Sequence, residues 1–370
     1  MREYEKKADF IKQIFDFEEV DRPAYVIGPG VDYKHDDFIK LHLDPQLQLE
    51  TQLIEIEAHD GIDDDYIPML MPTFGVVGLA EGFGGKVQWH KKDYPKIEPV
   101  IKDISDVKKI KKPDVKAGLM GKLLEYTKHF QKETGYKYPV SLSEHNSPVE
   151  IMFTLMETTD ALVAMMTEPQ QVHNLLSIII ETFIDFVNEQ KKIAGEFNLG
   201  FSIGSTGCYI PDKYGIWLAA DSIVNLSPEL FEEFFVPSIN VLSEEYGGIF
   251  LHSCGNFEHQ LDSLKLIKNL RGIDFGASET SYEKIVDKYS GKAVLAPHLG
   301  LNNRFKFNSL EEYTARLMKY KKTDTGNYFQ IQDINSLGYG DDAMNRIGSF
   351  YSTILERDRI KGLENILKSQ

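Results

Sequence analysis

The sequence predicts an α/β protein built as a (β/α)8 TIM barrel preceded by an N-terminal helical extension. Three observations lead there. From about residue 115, stretches with helical periodicity alternate with short apolar stretches almost to the C-terminus, and strand followed by helix, repeated, implies a parallel sheet. At least six of the short stretches are good strand candidates, with one or two weaker ones beside them. The 370 residues suit one barrel, which takes about 250 residues plus insertions. No linker or composition break divides the chain, so a single domain over 1–370 is expected, with 1–60 as the extension.

Strand candidates begin near Ala24 and Pro139. AGLMGKLLEYTKHFQKETG reads as an amphipathic helix ending at Gly135, and YPVSLSEHN follows as a strand entering a polar loop. Asp160 to Glu168 and Pro169 to Gly195 are helical, and FNLGFSIGSTG behind them reads as a buried strand. In SPELFEEFFVPSINVLSEEYGG, Ser227 is an N-cap candidate, and Leu230, Phe231, Phe234 and Phe235 mark a face turned to the core. Strand GIFLHSCGN, helix Phe257 to Asn269, strand GIDFGAS, helix Glu279 to Tyr289 and strand AVLAPHLG follow. Helix Ser309 to Lys322, strand YFQIQD and a helix from about Asp342 complete the series.

Composition narrows the partners. The net charge of −16 disfavours nucleic acid and anionic membrane surfaces, which reward basic patches. Two cysteines form no disulfide framework and suggest a reducing compartment. The first 17 residues are charged and lack the apolar core of a signal peptide, and Leu175 to Val187 is interrupted by Glu181 and Asp185. A cytoplasmic protein is expected. The acidic run Asp63 to Asp65 lacks the EF-hand pattern and reads as a solvated turn. GFGGK and GPG supply neither a phosphate loop nor a dinucleotide fingerprint.

In a barrel of this class the chemistry belongs at the C-terminal ends of the strands. Those ends carry Glu144, His145 and Asn146; Ser205, Thr206 and Cys208; His252 and Cys254; His298; and Gln332, Asp333 and Asn335. Isolated, each such residue is more often packing than chemistry. His252 and Cys254 differ, because residues two apart on a strand face the same way. An imidazole and a thiolate are good Zn²⁺ ligands, and Gly255 lets the chain turn directly behind them. A third ligand must come from another strand end, with Cys208, Asp333, Gln332, Asn335 and Glu144 as candidates.

The order of SPVEIMFTLM, TTDALVAMMTEPQQVHNLLSIIIETFIDFVNEQ, LAADSIVNLSPELFEEFFVPSINVL and GIFLHSCGN resembles the uroporphyrinogen decarboxylase superfamily, especially its cobalamin-dependent methyltransferase branch. The likeness covers most of the chain and implies a (β/α)8 barrel with extra N-terminal helices. The Arg-rich segment that holds the tetrapyrrole carboxylates in true decarboxylases reads PAYVIGPG here, with Arg22 just before it, and the stretch YIPMLMPTFG holds no acid. Porphyrin decarboxylation is therefore disfavoured. The methyltransferase branch implies a zinc held by His-x-Cys and by a Cys near the last strand. His252 and Cys254 match the first two positions, whereas YFQIQDINSLGYGDDAMN has no Cys. Asp333 would be an ordinary ligand there, and Cys208 could supply a thiolate from another loop.

The resemblance thus implies a zinc-dependent methyltransferase that moves a methyl group between a small-molecule donor or thiol acceptor and a corrinoid carried by a separate protein. Glu144, His145 and His298 would line its pocket as catalytic groups. The other readings are a metal-free lyase of the decarboxylase type on a smaller substrate, and a non-catalytic small-molecule-binding barrel.

Overall fold

Eight staves close on themselves in a computed structural model that describes residues 2–28, 37–59, 62–195, 200–203, 208–299, 307, 310–322 and 325–331. The named strands are β1 (Ala24–Ile27), β2 (Val87–Gln88), β3 (Lys96–Ile97), β4 (Gly200–Ile203), β5 (Cys208–Pro211), β6 (Ile216–Ala219), β7 (Ile249–Ser253), β8 (Leu270–Gly276), β9 (Val294–His298) and β10 (Tyr328–Ile331). β6, β7, β8 and β9 form one parallel sheet. A parallel bridge from Leu295 to Asn327 carries it to β10, which pairs in parallel with β1.

Two irregular staves close the ring. Leu70 bridges Val140, and Asn146 bridges Ala219 of β6, both in parallel. The remaining junction, between β1 and the stretch entering Leu70, is made partly by side chains. Asp65 N donates to Tyr25 O (2.9 Å), Tyr25 N to Asp65 Oδ2 (3.0 Å) and Ile27 N to Asp64 Oδ2 (2.9 Å). The expectation of a solvated acidic turn is corrected here: Asp64 and Asp65 are buried, because they satisfy strand N–H groups that no neighbouring carbonyl reaches. Arg22 grips Asp65 with both terminal nitrogens, at 2.5 and 2.7 Å. Arg22 precedes β1 and so lies at the N-terminal end of the barrel, away from the mouth.

Two further expectations are corrected. Gly200–Ile203 is a strand, but among the described residues β4 pairs antiparallel with β5 as a hairpin, and the stave is the next apolar run, Ile216–Ala219, whose four residues are all buried. In place of a helix from Phe257 to Asn269 there are two 3₁₀ turns, Glu258–Gln260 and Ser263–Leu266. The other major helices stand where periodicity puts them. Pro169–Ala194 starts at its proline and buries Leu175, Ile179, Phe183, Phe186 and Gln190 on one face. Ser227 caps its helix by accepting from Leu230 N (3.3 Å), and Phe231, Phe234 and Phe235 are buried. The N-terminal helix Arg2–Phe15 buries Ala8, Ile11, Ile14 and Phe15, and stacks Phe15 on Tyr214 (4.9 Å). No helix among the described residues is long and apolar enough to cross a membrane. The segments holding Ser205 and Thr206, Gln332 to Asn335, and the helix expected from Asp342 lie outside the described residues.

Asp65→Ala removes both the partner of Arg22 and the acceptor of Tyr25 N. We expect a loss of about 3 kcal/mol in urea unfolding. Asp9→Ala, which breaks the exposed Lys12 pair, should cost less than about 0.5 kcal/mol.

Candidate active site

The polar centre of the barrel is built from residues facing inward at period two. Asp274 on β8 is paired across the ladder with His252 on β7, and its buried carboxylate collects donors from four neighbouring strands. His252 Nδ1 lies 2.7 Å from Oδ2 and His298 Nδ1 2.8 Å from Oδ1. Gln330 Nε2 donates to Oδ1 at 3.0 Å, and Trp217 Nε1 to Oδ2 at 3.4 Å. The two imidazoles stack with centroids 5.4 Å apart and planes at 17°.

An ionised carboxylate only accepts, so both Nδ1 atoms carry protons and each Nε2 faces away from Asp274. Burial opposes charge on either ring. The Asp274 carboxylate outweighs it, holding His252 well above its ordinary value and His298 up at about 9. For Asp274, burial alone would raise the carboxyl, and the two imidazoles bring it well below the usual range instead.

At the rim, Cys254 Sγ lies 3.4 Å from His252 Nε2. Asp221, in the loop after β6, accepts from Cys254 N at 2.6 Å and stands 3.7 Å from His252 Nε2. Burial pushes the Cys254 thiol up, and the contacts with His252 and His298 bring it below its ordinary value. Gly255 turns the chain behind Cys254 at φ +80°, where a side chain would be strained. Glu279 Oε2 accepts from Gly255 N (2.6 Å), and the Thr280 hydroxyl donates to Gly255 O (2.8 Å), so the loop after β8 pins the turn.

Ligands at about 2.0–2.3 Å from a tetrahedral ion lie roughly 3.4–3.6 Å apart. His252 Nε2 stands 3.4 Å from Cys254 Sγ and 3.7 Å from Asp221 Oδ1, close to that figure, and the three donor atoms all lie within 4.8 Å of one another. An Nδ1–H held by a carboxylate is also the usual support of a metal-binding imidazole. The donor set therefore fits zinc. Among the described residues, two groups of ligand-type side chains have donor atoms within 4.8 Å of one another: Asp221 with His252 and Cys254, and His252 with Asp274 and His298.

Of the other expected residues, Glu144 and His145 line one small cleft with Val76, Leu79 and Ile151. Burial raises the Glu144 carboxyl above the ordinary value, the His252 charge opposing and Asp221 reinforcing that shift. His145 is buried against the helix Pro169–Ala194, between Phe183 and Phe186. Its Nε2 meets Gln190 Oε1 at 2.9 Å, and Gln190 donates in turn to Ser143 (2.7 Å). Cys208 is fully buried at the start of β5 and belongs to neither ligand group. Asp333 lies outside the described residues.

Asp274, Asp221, Trp217 and Gln330 were not singled out as site residues by sequence reasoning. Asp274 had a signal, since one acid inside an apolar strand must be paired. Asp221 sat unassigned within a resemblance segment.

A closed parallel barrel with its ionisable groups gathered at the C-terminal mouth is the architecture of a barrel enzyme. The sequence matches the family Uroporphyrinogen decarboxylase (URO-D) over residues 24–294, and the chain belongs to that family. Among solved structures it is similar to a methyltransferase from Methanosarcina mazei, with a TM-score of 0.66 at 15% identity, over 92% of this chain and 97% of that one. At that identity the likeness is one of fold. Comparison with curated proteins returns no match.

Unfolded, the His145 imidazole takes its proton near its ordinary value of 6.5; in the fold, burial delays this to about 4. The unfolded state binds the extra proton across that window, so stability is lost as pH falls through it. The stability advantage of wild type over His145→Gln should shrink by roughly 3 kcal/mol between about pH 7 and pH 4. An advantage constant across that range in urea titrations would contradict the buried, neutral imidazole.

Proposed function

We propose that the protein is a zinc-dependent methyltransferase that moves a methyl group between a small-molecule donor or thiol acceptor and the corrinoid of a separate protein. The observation that carries this reading is the pairing of His252 Nε2 with Cys254 Sγ at the barrel mouth, 3.4 Å apart, with the opposite ring nitrogen committed to Asp274. Membership of the URO-D family and the methyltransferase fold neighbour support it.

His252 and Cys254 would hold the metal. Zinc bound there supplies Lewis acidity, which polarises a methyl-bearing heteroatom or lowers the pKa of a coordinated thiol. The chain's own residues do the rest. Asp274 fixes the His252 tautomer and, by holding His298 parallel to it, fills the barrel centre beneath the site. Glu144, whose carboxyl burial raises above its ordinary value, would be the group to give a proton to the atom that loses its methyl group.

The decarboxylase alternative is weakened by Arg22. The cation nearest the expected carboxylate-binding segment is committed to Asp65 at the opposite end of the barrel, and a polycarboxylate at the mouth would lack it.

Purified protein should contain about one zinc per chain, lost in the His252→Ala, Cys254→Ala double variant. Asp274→Asn presents an amide that can donate to Nδ1, favouring the tautomer with its proton on Nε2; zinc affinity should fall roughly 10–100-fold. Unchanged affinity would remove Asp274 from the site.

Methyl transfer to cob(I)alamin, followed by absorbance over a panel of methoxy-aromatics, methylamines and methyl thiols, is the activity assay. Turnover with at least one donor, abolished in the double variant, is the expected result.

A further inference from the structure

We propose that Asp221, in the loop after β6, is the third protein ligand of this metal site, its carboxylate taking the part that the resemblance gives to a second thiolate near the last strand. The inference rests on the zinc reading of His252 and Cys254 and identifies the donor that the sequence left open.

Three features place the carboxylate. Ala220 N donates to His252 O at 2.9 Å, which ties the residue before Asp221 to the ligand strand. Ser222 N donates to Glu150 Oε2 at 2.8 Å, which anchors the residue after it. Between these anchors Asp221 Oδ1 lies 2.6 Å from Cys254 N and 3.7 Å from His252 Nε2, on the side where Nε2 and Sγ converge. The side chain is 52% exposed, so a ligand position open to substrate remains beside it, as a catalytic zinc requires.

Charge balance agrees. A thiolate and a carboxylate offset the double charge of the ion, with the imidazole neutral. The competing donors fit less well: Cys208 is buried in the β4–β5 hairpin and outside the cluster, and His298, although it touches Cys254, shares its ligand group with His252 and Asp274, whereas Asp221 shares one with both His252 and Cys254. One oxygen donor in place of a second sulfur makes a harder site. That site favours polarising an ether oxygen or an amine nitrogen, so O- or N-methyl compounds are the matching substrate class.

The bland alternative is that Asp221 only caps the Gly255 turn through Cys254 N. Asp221→Asn separates the two, because an amide oxygen still accepts that hydrogen bond but is a poor zinc ligand. Full-length protein stripped of metal is titrated with Zn²⁺ and with Co²⁺, comparing wild type, Asp221→Asn, Asp221→Ala, Cys208→Ser and Asp333→Ala. The expected result is at least tenfold weaker zinc binding in both Asp221 variants. With Co²⁺ they keep the thiolate charge-transfer band and change the d–d bands, while Cys208→Ser and Asp333→Ala behave as wild type. Wild-type affinity in Asp221→Asn overturns the proposal, as does loss of binding in either of the other two variants with Asp221 intact. If Asp221→Asn fails to fold, the wild-type Co²⁺ spectrum must carry the charge-transfer intensity of one thiolate; that of two overturns it. A wild-type chain that binds no metal fails the functional reading itself, a separate outcome.

Discussion

One buried carboxylate organises the mouth of this barrel. Asp274 is 1% exposed, and an isolated charge in that position would cost several kcal/mol. The structure compensates by directing donors from β6, β7, β9 and β10 onto its two oxygens. The same contacts that make the charge tolerable fix the rotamers of His252 and His298 and aim each Nε2 away from the barrel centre. Register and ligand geometry are thereby coupled: sliding β8 by one residue would turn Asp274 out of the barrel and leave both imidazoles without an acceptor.

The ring has a second, different solution to the same problem of buried polar groups. Where the first two staves meet, the backbone ladder is incomplete, and the carboxylates of Asp64 and Asp65 accept from Ile27 N and Tyr25 N in its place. This consumes Arg22, which is committed to Asp65 at the N-terminal end of the barrel. A family fold can in this way carry a different donor set at its mouth, since the scaffold constrains strand positions more tightly than the side chains on them.

The strand–helix alternation was legible because periods of 2 and 3.6 are local properties of the chain, and so was the His-x-Cys pair, whose shared orientation follows from strand geometry alone. The mistaken stave shows the limit. FSIG and IWLA are both short apolar runs, and apolarity does not say which pairs with β7. Among the described residues the first pairs with Cys208–Pro211 in an antiparallel hairpin. The 3₁₀ turns after β7 were missed for a related reason: the apolar spacing in that stretch is compatible with a helix, while contacts from the loop after β8 hold its start in another shape.

By itself the sequence determined the barrel class and the shared orientation of His252 and Cys254 at a strand end, because each follows from spacing that is local to the chain. Only the tertiary structure decided the partners of those residues. Asp221 and Asp274 lie 31 or fewer positions from His252 in the chain, yet the loop after β6 and strands β7 and β8 meet at one point only because β6, β7 and β8 pair side by side. Whether an aspartate is a solvated charge, a substitute for a ladder carbonyl or a clamp on two imidazoles depends on which N–H groups surround it, and that is settled by packing between segments.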